Sequence, residues 1–425
     1  MRAKLRLVQL FVLLTGLASL ASGCGDNSNL SPCDIRRKSC QDAIFYEVQK
    51  LRGTEWDPWI DRPPMRVISA KEYRNELLDA QKRDEQRAMQ NMEQVDHFQV
   101  ALELLALLDP NRTKTAEVDT RVDNVAAFYS LNSKSVTIID HGKPGDLEYG
   151  TSVLAHELVH AAQDREIGLS TYALPSTVDA DYARSAIIEG EARLYENVLM
   201  IGAVGRTIDD VDWDHYHGLL LDDARQRIFD ADSPYLQLYG LMYAVGSRFL
   251  TDRYLAGGNV SVRDAWQKIP TEMHFFIDRE DTSDANPQPR LMEGDPGYSF
   301  VAQGPLPCRA PKPPADYEVY ADTSLGALFV FGVATRFADD PGAAWVMARA
   351  FVADHLSIYF NESEETLVSW QIRLKKSQAT TFADKLAEYY GPDAIATSGN
   401  QINVMLHDAE TAPDWNAWKK CATVN

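Results

Sequence analysis

The chain is built around one apolar segment that carries two histidines and a glutamate, Val153-Leu-Ala-His156-Glu157-Leu-Val-His160-Ala-Ala-Gln163. Residues four apart on a helix lie one above the other, so His156 and His160 can share a metal ion. Glu157 is turned about a third of a turn round the axis, where it reaches a metal-bound water rather than the metal. Zinc lowers the pKa of such a water to about 7, and the glutamate takes its proton. The pattern predicts a zinc helix; an amphipathic core helix with two partly buried histidines is the alternative.

A third ligand is needed, because catalytic zinc takes three protein ligands and keeps one position open. The best candidate lies in Ile187-Ile-Glu189-Gly190-Glu191-Ala192. Glu189 follows an apolar pair and is expected to point inward, and Gly190 removes a side chain where two helices approach closely. Glu191 is a rival, but it lies about 200° round the helix from Glu189, so both are not expected to bind one ion. The sequence favours Glu189.

These motifs resemble those of the gluzincin metallopeptidases, in which a helical glutamate is the third zinc ligand. The resemblance rests on His156-Glu157-x-x-His160 followed by Glu189-Gly190-x-Ala192. It implies zinc held by His156, His160 and Glu189, with Glu157 as general base. Many gluzincins place an aspartate four residues after the ligand glutamate to orient a zinc histidine, but this chain has Arg193 there.

More narrowly, the chain resembles a group of uncharacterised bacterial exported proteins of the zinc-metallopeptidase type. The resemblance covers about residues 66–390, and its downstream matches are individually weak. The matching segments are Ala127-Phe128-Tyr129, His156 to Asp164, Glu189 to Ala192, Tyr243-Ala-Val-Gly246-Ser-Arg-Phe249, Gly257-Gly258, Thr271-Glu272-Met273-His274 and Leu325-Gly326. Asp164 and Asp181 both stay open as the residue that orients a zinc histidine.

Peptide hydrolysis passes through an oxyanion, which takes a donor from histidine, tyrosine or arginine besides the zinc. Tyr243 and His274 are the candidate transition-state donors, with His217 as a third. For each of them, an ordinary core or surface position is favoured over a role in the site. His97 is interpreted as a surface or core histidine rather than a ligand.

The predicted fold class is α+β and predominantly helical, with a small antiparallel sheet beside a zincin-like active-site helix and a helical C-terminal region. A hairpin is predicted over residues 125–139. The zinc helix is expected to begin near Tyr149 with Thr151 or Ser152 as its N-cap. The strand before it is either an ordinary edge strand or one that holds an extended peptide by backbone pairing. The predicted divisions are a lipoprotein signal peptide (1–23), a tether and N-terminal segment (24–60), a zincin-like metallopeptidase core (61–277) and a mostly helical region packed on it (278–425).

The N-terminus has the pattern of an export signal. Basic residues at 2, 4 and 6 precede an apolar run, which ends in Leu20-Ala-Ser-Gly-Cys24. Small residues before a cysteine resemble a bacterial lipoprotein cleavage box, so Cys24 is predicted to carry the lipid; an ordinary secretory peptide cut nearby is the alternative. The predicted location is the bacterial cell envelope, facing the periplasm or the exterior. Gly25 rather than aspartate follows Cys24, which favours the outer membrane in a Gram-negative cell.

Charge and cysteines narrow the classes of partner. The formal net charge is −20 at pH 7, and it becomes −23 without Arg2, Lys4 and Arg6. Such a surface disfavours binding to nucleic acid and to anionic headgroups, so membrane contact is expected through the lipid anchor alone.

Four cysteines remain after Cys24, and they allow three disulfide connectivities. The preferred one pairs Cys33 with Cys40 and Cys308 with Cys421.

The sequence therefore predicts a zinc metalloendopeptidase, a hydrolase of peptide or protein substrates. A non-catalytic lipoprotein that keeps a zinc-binding helix is one alternative. A zinc hydrolase of cell-wall amides is the other.

Overall fold

We describe the protein from a computed structural model over residues 30–54, 62–91, 95–113, 118–119, 121–123, 125–142, 146–170, 177–279 and 316–409. The signal peptide, Cys24 and the Cys308–Cys421 pairing lie outside these residues. The described chain is α+β and predominantly helical, so the predicted fold class is confirmed.

Helices and strands are mixed along the chain, with a run of five consecutive helices between residues 147 and 279. In chain order they are α1 (Lys38–Arg52), β1 (Met65–Ser69), α2 (Ala70–Asn91), α3 (His97–Leu104), β2 (Ala127–Ser130), β3 (Ser135–Asp140), α4 (Leu147–Ile167), α5 (Val178–Ala203), α6 (Trp213–Phe229), α7 (Tyr235–Gln267), α8 (His274–Arg279), β4 (Tyr317–Thr323), α9 (Ala327–Ala334), α10 (Pro341–Arg349), β5 (Phe351–Asn361), β6 (Thr366–Leu374), α11 (Lys376–Tyr390), β7 (Ile395–Ser398) and β8 (Gln401–His407).

Contacts between Cα atoms divide the chain into two units that do not follow chain order. The first holds residues up to 69, 125–166 and 194–211, and the second holds 70–124, 167–193 and residues from 212 onward. The division falls inside α5, which is one continuous helix. The four predicted divisions of the sequence stay a prediction.

The first unit contains a three-stranded sheet and the histidine helix α4. The sheet order is β1-β3-β2, with β1 parallel and β2 antiparallel to β3. The β2–β3 hairpin is the one predicted from the sequence. Since β2 is an edge strand of the sheet, half of its backbone polar groups point away from β3.

Helix α4 begins earlier than predicted, at Leu147. The Asp146 carboxylate accepts the backbone N–H of Glu148 at 3.0 Å and so caps the helix. The predicted N-caps Thr151 and Ser152 are wrong, because both lie inside the helix and their hydroxyls serve distant partners. Thr151 Oγ1 accepts the backbone N–H of Cys33 at 3.0 Å.

The N-terminal part of the first unit is clipped by a local disulfide. Cys33 and Cys40 are joined, with Cα atoms 5.8 Å apart, as the sequence predicted. Arg52, at the end of α1, lies buried and forms a bidentate pair with Glu166 on α4 at 2.9 and 3.1 Å. The segment is therefore held against α4 at both of its ends.

In the second unit, α5 and α7 cross at two glycines. A Cβ at Gly190 would overlap the backbone of Gly246, and a Cβ at Gly246 would overlap the carbonyl of Ala186. The close approach predicted for Gly190 is therefore confirmed. Helix α7 is interrupted at Gly257 and Gly258, where the backbone leaves the helical region.

The second unit also contains an antiparallel sheet in the order β4-β5-β6-β8-β7. The sequence predicted a mostly helical region here, and the structure places five strands in the described part of it, among them the eleven-residue β5. The central strand β6 is buried at all but one position, so it lacks the alternation that marks a half-buried strand. Residues 316–409 thus hold more strand than the sequence indicated.

Among the described residues, no helix combines the length and the hydropathy that crossing a bilayer requires.

Candidate metal centre

The three predicted ligands come together on helices α4 and α5. His156, His160 and Glu189 each offer one ligand atom, and these atoms all lie within 4.8 Å of one another. His156 and Glu189 are buried, and His160 is partly buried. The two imidazole rings stand nearly perpendicular, with centroids 4.7 Å apart. Spacing of four on α4 and the inward direction of Glu189 on α5 account for this convergence.

Each histidine is oriented by an acceptor at its Nδ1. His156 Nδ1 lies 3.0 Å from Glu196 Oε2, and His160 Nδ1 lies 2.9 Å from Gln163 Oε1. A carboxylate oxygen and an amide oxygen accept hydrogen bonds, so these contacts favour the tautomer that carries the proton on Nδ1. In that tautomer Nε2 is the nitrogen that offers a lone pair to a metal ion.

Glu196 is itself held in place by Ser152, whose hydroxyl donates to its Oε1. Glu196, Ser152 and His156 are all buried. Two hydrogen bonds in sequence thus connect these side chains: Ser152 on α4 contacts Glu196 on α5, and Glu196 contacts His156 on α4. A buried hydrogen-bond network of this kind holds the His156 side chain in one rotamer.

The two glutamates that flank Gly190 have separate partners. Glu189 Oε1 accepts the hydroxyl proton of Tyr239 at 2.6 Å. Glu191 Oε2 accepts from the indole nitrogen of Trp266 at 2.7 Å. The group that could hold an ion contains Glu189, in keeping with the 200° turn between the two side chains.

Glu157 lies on the side of α4 that faces strand β2. Its Oε2 accepts the backbone N–H of Tyr129 at 2.7 Å. The backbone N–H of Ile139 donates to the carbonyl of Ala126. This bond determines which β2 residues direct their backbone groups toward β3 and which direct them away. Ala127 and Tyr129 therefore direct their backbone groups away from β3, toward the side where Glu157 lies.

A second set of contacts joins the hairpin to α4. Asp164, which is buried, accepts from the hydroxyl of Tyr129 at 2.7 Å and from Lys134 Nζ at 2.6 and 2.9 Å. Burial, followed by the Asp164 carboxylate, raises the pKa of Tyr129, so its phenol stays protonated and donates. Lys134 adopts positive φ at the turn. Asp164 thus anchors β2 beside Glu157.

The choice between Asp164 and Asp181 as the residue that orients a zinc histidine stays a prediction, and two further residues contact the imidazoles. His156 is paired with Glu196 and His160 with Gln163, whereas Asp181 pairs with Arg184 at 3.8 Å. The sequence analysis missed both orienting residues.

Signals for them were present, however. Glu196 stands seven residues after Glu189, two turns along the same face of α5, and Gln163 stands three residues after His160. No comparable signal marked Tyr239, which lies 50 residues from Glu189 on another helix.

The three candidate donors lie in different surroundings. Tyr243 is one turn along α7 from Tyr239, with ring centroids 5.7 Å apart, and the Arg193 guanidinium lies 5.9 Å from its ring centre. His274 Nε2 lies 3.4 Å from the carbonyl of Arg349.

His217 is 2% exposed and stacks on Trp213 at 5.5 Å. Burial, with the nearby charge of Arg248 as a smaller cause, lowers the pKa of His217 to about 3, so the ring is neutral. This placement gives His217 no support as a transition-state donor.

His97 is a core histidine, one of the two positions expected for it. It is fully buried, and its Nδ1 lies 2.9 Å from Thr366 Oγ1. Its ring stacks on Phe360 with centroids 4.9 Å apart.

Comparison with known proteins gives no further lead: no protein-family model, no curated protein and no solved structure matches the chain.

Proposed function

We propose that the protein is a zinc-dependent metallopeptidase of the cell envelope. The observation that carries the proposal is the convergence of the His156, His160 and Glu189 ligand atoms within 4.8 Å. Glu157 stands one residue from the first ligand and is oriented by strand β2.

The donor set fits zinc. Two neutral imidazoles and one carboxylate are a common catalytic zinc set, and other cations prefer different mixtures. Ligands about 2.0–2.2 Å from one ion lie roughly 3–4 Å from one another, so the observed spread needs only small side-chain rotations to close.

Three ligands also favour catalysis over a structural role. Structural zinc sites are closed by four protein ligands, whereas catalytic sites keep one position for water. Among the residues that the structure describes, the group has three members. This supports an enzyme over a lipoprotein that keeps zinc only for its fold.

Bound there, zinc would act as a Lewis acid and would lower the pKa of a water to about 7. Glu157 is placed to take a proton from the attacking water and to deliver it to the leaving amine. Glu196 and Gln163 keep the two histidines in the Nδ1–H tautomer throughout. The backbone of Ala127, on the side of β2 that faces Glu157, pairs with an extended peptide and holds its scissile bond in reach.

The location forms part of the proposal. Export and acylation at Cys24 would place the enzyme on a membrane facing the periplasm or exterior, where peptide and protein substrates reach it. The test is metabolic labelling with a fatty acid: the wild-type chain takes up label and Cys24→Ser does not. Equal labelling of the two would contradict the anchor.

The ligand assignment is tested with two neighbouring glutamates on the same helix. Glu189→Gln and His156→Ala are expected to lose zinc, whereas Glu191→Gln keeps about one zinc per chain because its amide oxygen still accepts from Trp266. Elemental analysis of the purified chains measures this. Zinc retained in Glu189→Gln, or lost in Glu191→Gln, would refute the assignment.

The reaction is tested with Glu157→Gln. This variant should keep zinc and lose hydrolysis by about 10²–10⁴-fold, the usual contribution of a general base. Mixed peptides and murein fragments are offered in parallel, which separates a peptidase from a hydrolase of cell-wall amides. Undiminished hydrolysis in Glu157→Gln would overturn the mechanism.

A further inference from the structure

Tyr239 reaches the third ligand from the solvent side. Its side chain is 45% exposed, whereas Glu189 is 6% exposed. The hydroxyl nevertheless donates to Glu189 Oε1 at 2.6 Å, the short end of the range for a bond to a carboxylate. A half-exposed residue thus supplies a strong hydrogen bond to a buried one.

The backbone holds this contact in register. Gly246 lies seven residues after Tyr239, two turns along the same face of α7, and Gly190 is the neighbour of Glu189 on α5. The two glycines meet where the helices cross, and neither position has room for a Cβ. The helices therefore cannot slide without breaking the crossing, and the phenol stays opposite the carboxylate.

Side chains fix the ring itself. Tyr243 meets Tyr239 edge-on, with centroids 5.7 Å apart, and Arg193 lies over Tyr243. An edge-on aromatic pair contributes about 0.5–1.5 kcal/mol beyond burial. The phenol of Tyr239 is thus aimed by packing as well as by its hydrogen bond.

We propose that Tyr239 is a positioning residue that occupies Glu189 Oε1, so that the carboxylate binds the metal through its other oxygen alone. A carboxylate that binds through both oxygens takes up coordination space that a catalytic site keeps for water. The tyrosine would thereby keep that position available and hold the ligand in one rotamer. This inference rests on the proposed zinc function.

The test uses the full-length purified chain and Tyr239→Phe, which removes only the hydroxyl. Tyr389→Phe is the matched control, because Tyr389 is 46% exposed and lies on α11. Zinc affinity is measured by competition with a chromogenic chelator. Coordination is measured from the visible absorption of the cobalt(II)-substituted chain, which weakens as the coordination number rises above four.

Tyr239→Phe is expected to bind zinc about tenfold more weakly, the lower end of the effect for residues that orient a ligand, and to give weaker cobalt absorption. Tyr389→Phe should match the wild type in both measurements. Wild-type affinity and spectrum in Tyr239→Phe would overturn the inference, as would equal changes in the two variants.

Failure of the underlying proposal looks different. A wild-type chain that binds no zinc, or a His156→Ala chain that still binds it, overturns the zinc site and this inference together. Normal zinc binding in the wild type with no effect of Tyr239→Phe overturns the role of Tyr239 alone.

Discussion

Glu196 and Asp354 are both buried carboxylates that accept a hydrogen bond from a serine hydroxyl, Ser152 and Ser324 respectively. Their remaining partners differ, and so do their tasks. The other donor to Glu196 is the imidazole of His156. That ring belongs to the group of three side chains that could hold a metal ion. The carboxylate of Glu196 is therefore placed to orient a candidate metal ligand.

The donors to Asp354 are backbone and side-chain groups that do not belong to the candidate metal centre. Its oxygens accept the backbone N–H groups of Leu325 and Gly326 at 2.9 and 3.1 Å, and the indole of Trp370 at 2.7 Å. Burial raises the pKa of Asp354, and the hydrogen bonds lower it. This carboxylate fastens the loop before α9 to strands β5 and β6, which is a structural task.

The largest effect is expected from Asp354→Ala. Three buried donors and the partly buried Ser324 hydroxyl lose their acceptor together, so the free energy of unfolding should fall by about 3–5 kcal/mol. Urea denaturation measures it, and the exposed Asp339→Ala should stay within about 0.5 kcal/mol of wild type. Zinc affinity of the folded chain is expected to stay unchanged. A weaker zinc site in Asp354→Ala would erase the contrast with Glu196.

The next largest effect concerns His217 and the pH dependence of the free energy of unfolding. Neither nitrogen of His217 is hydrogen-bonded within the described part of the chain, unlike the ring of His156. Because its folded pKa is about 3 and its unfolded pKa is 6.5, it favours the folded state above pH 6.5 and this stability is lost as pH falls toward 3.

His217→Phe removes that proton linkage. Between pH 7 and 4.5 the stability of the variant relative to wild type should rise by about 2–3 kcal/mol. Denaturation midpoints across that range measure it. Parallel pH curves for the two chains would show that the ring is not held neutral.

Glu196→Ala is expected to weaken zinc binding about 10–100-fold, the usual cost of losing a residue that orients a metal-binding histidine. Chelator competition measures it. An unchanged affinity would place Glu196 with Asp354, as a carboxylate that serves the fold only.

Glu196→Gln should have the smallest effect, a loss of zinc affinity of only a few-fold. Its amide oxygen can still accept from His156 Nδ1, and only the charge is lost, which makes the hydrogen bond weaker. If Gln costs as much affinity as Ala, the charge rather than the orientation of the ring is what Glu196 supplies.

Local patterns predicted the parts of the fold that depend on near neighbours in sequence. The spacing of His156 and His160, the apolar pair before Glu189 and the small residue at 190 each constrain a single helix face, and those positions were foreseen. The hairpin followed from two β-rich runs on either side of a plausible turn at Asn132-Ser133.

Partners far apart in sequence could not be foreseen in the same way. Thr151 and Ser152 have the composition of helix caps, but their hydroxyls bond to Cys33 and Glu196, so Asp146 caps the helix instead. Tyr239 acts across a helix crossing, which no periodicity within α7 reveals.

The contact of Cys33 with Thr151 also limits the distance between Cys24 and helix α4. Thr151 stands five positions before His156 on α4, and Cys33 lies only nine positions after Cys24. A fully extended stretch of that length reaches about 30 Å. If Cys24 is anchored in a bilayer, the histidine helix works within roughly that height of the lipid surface, and its substrates must be met there.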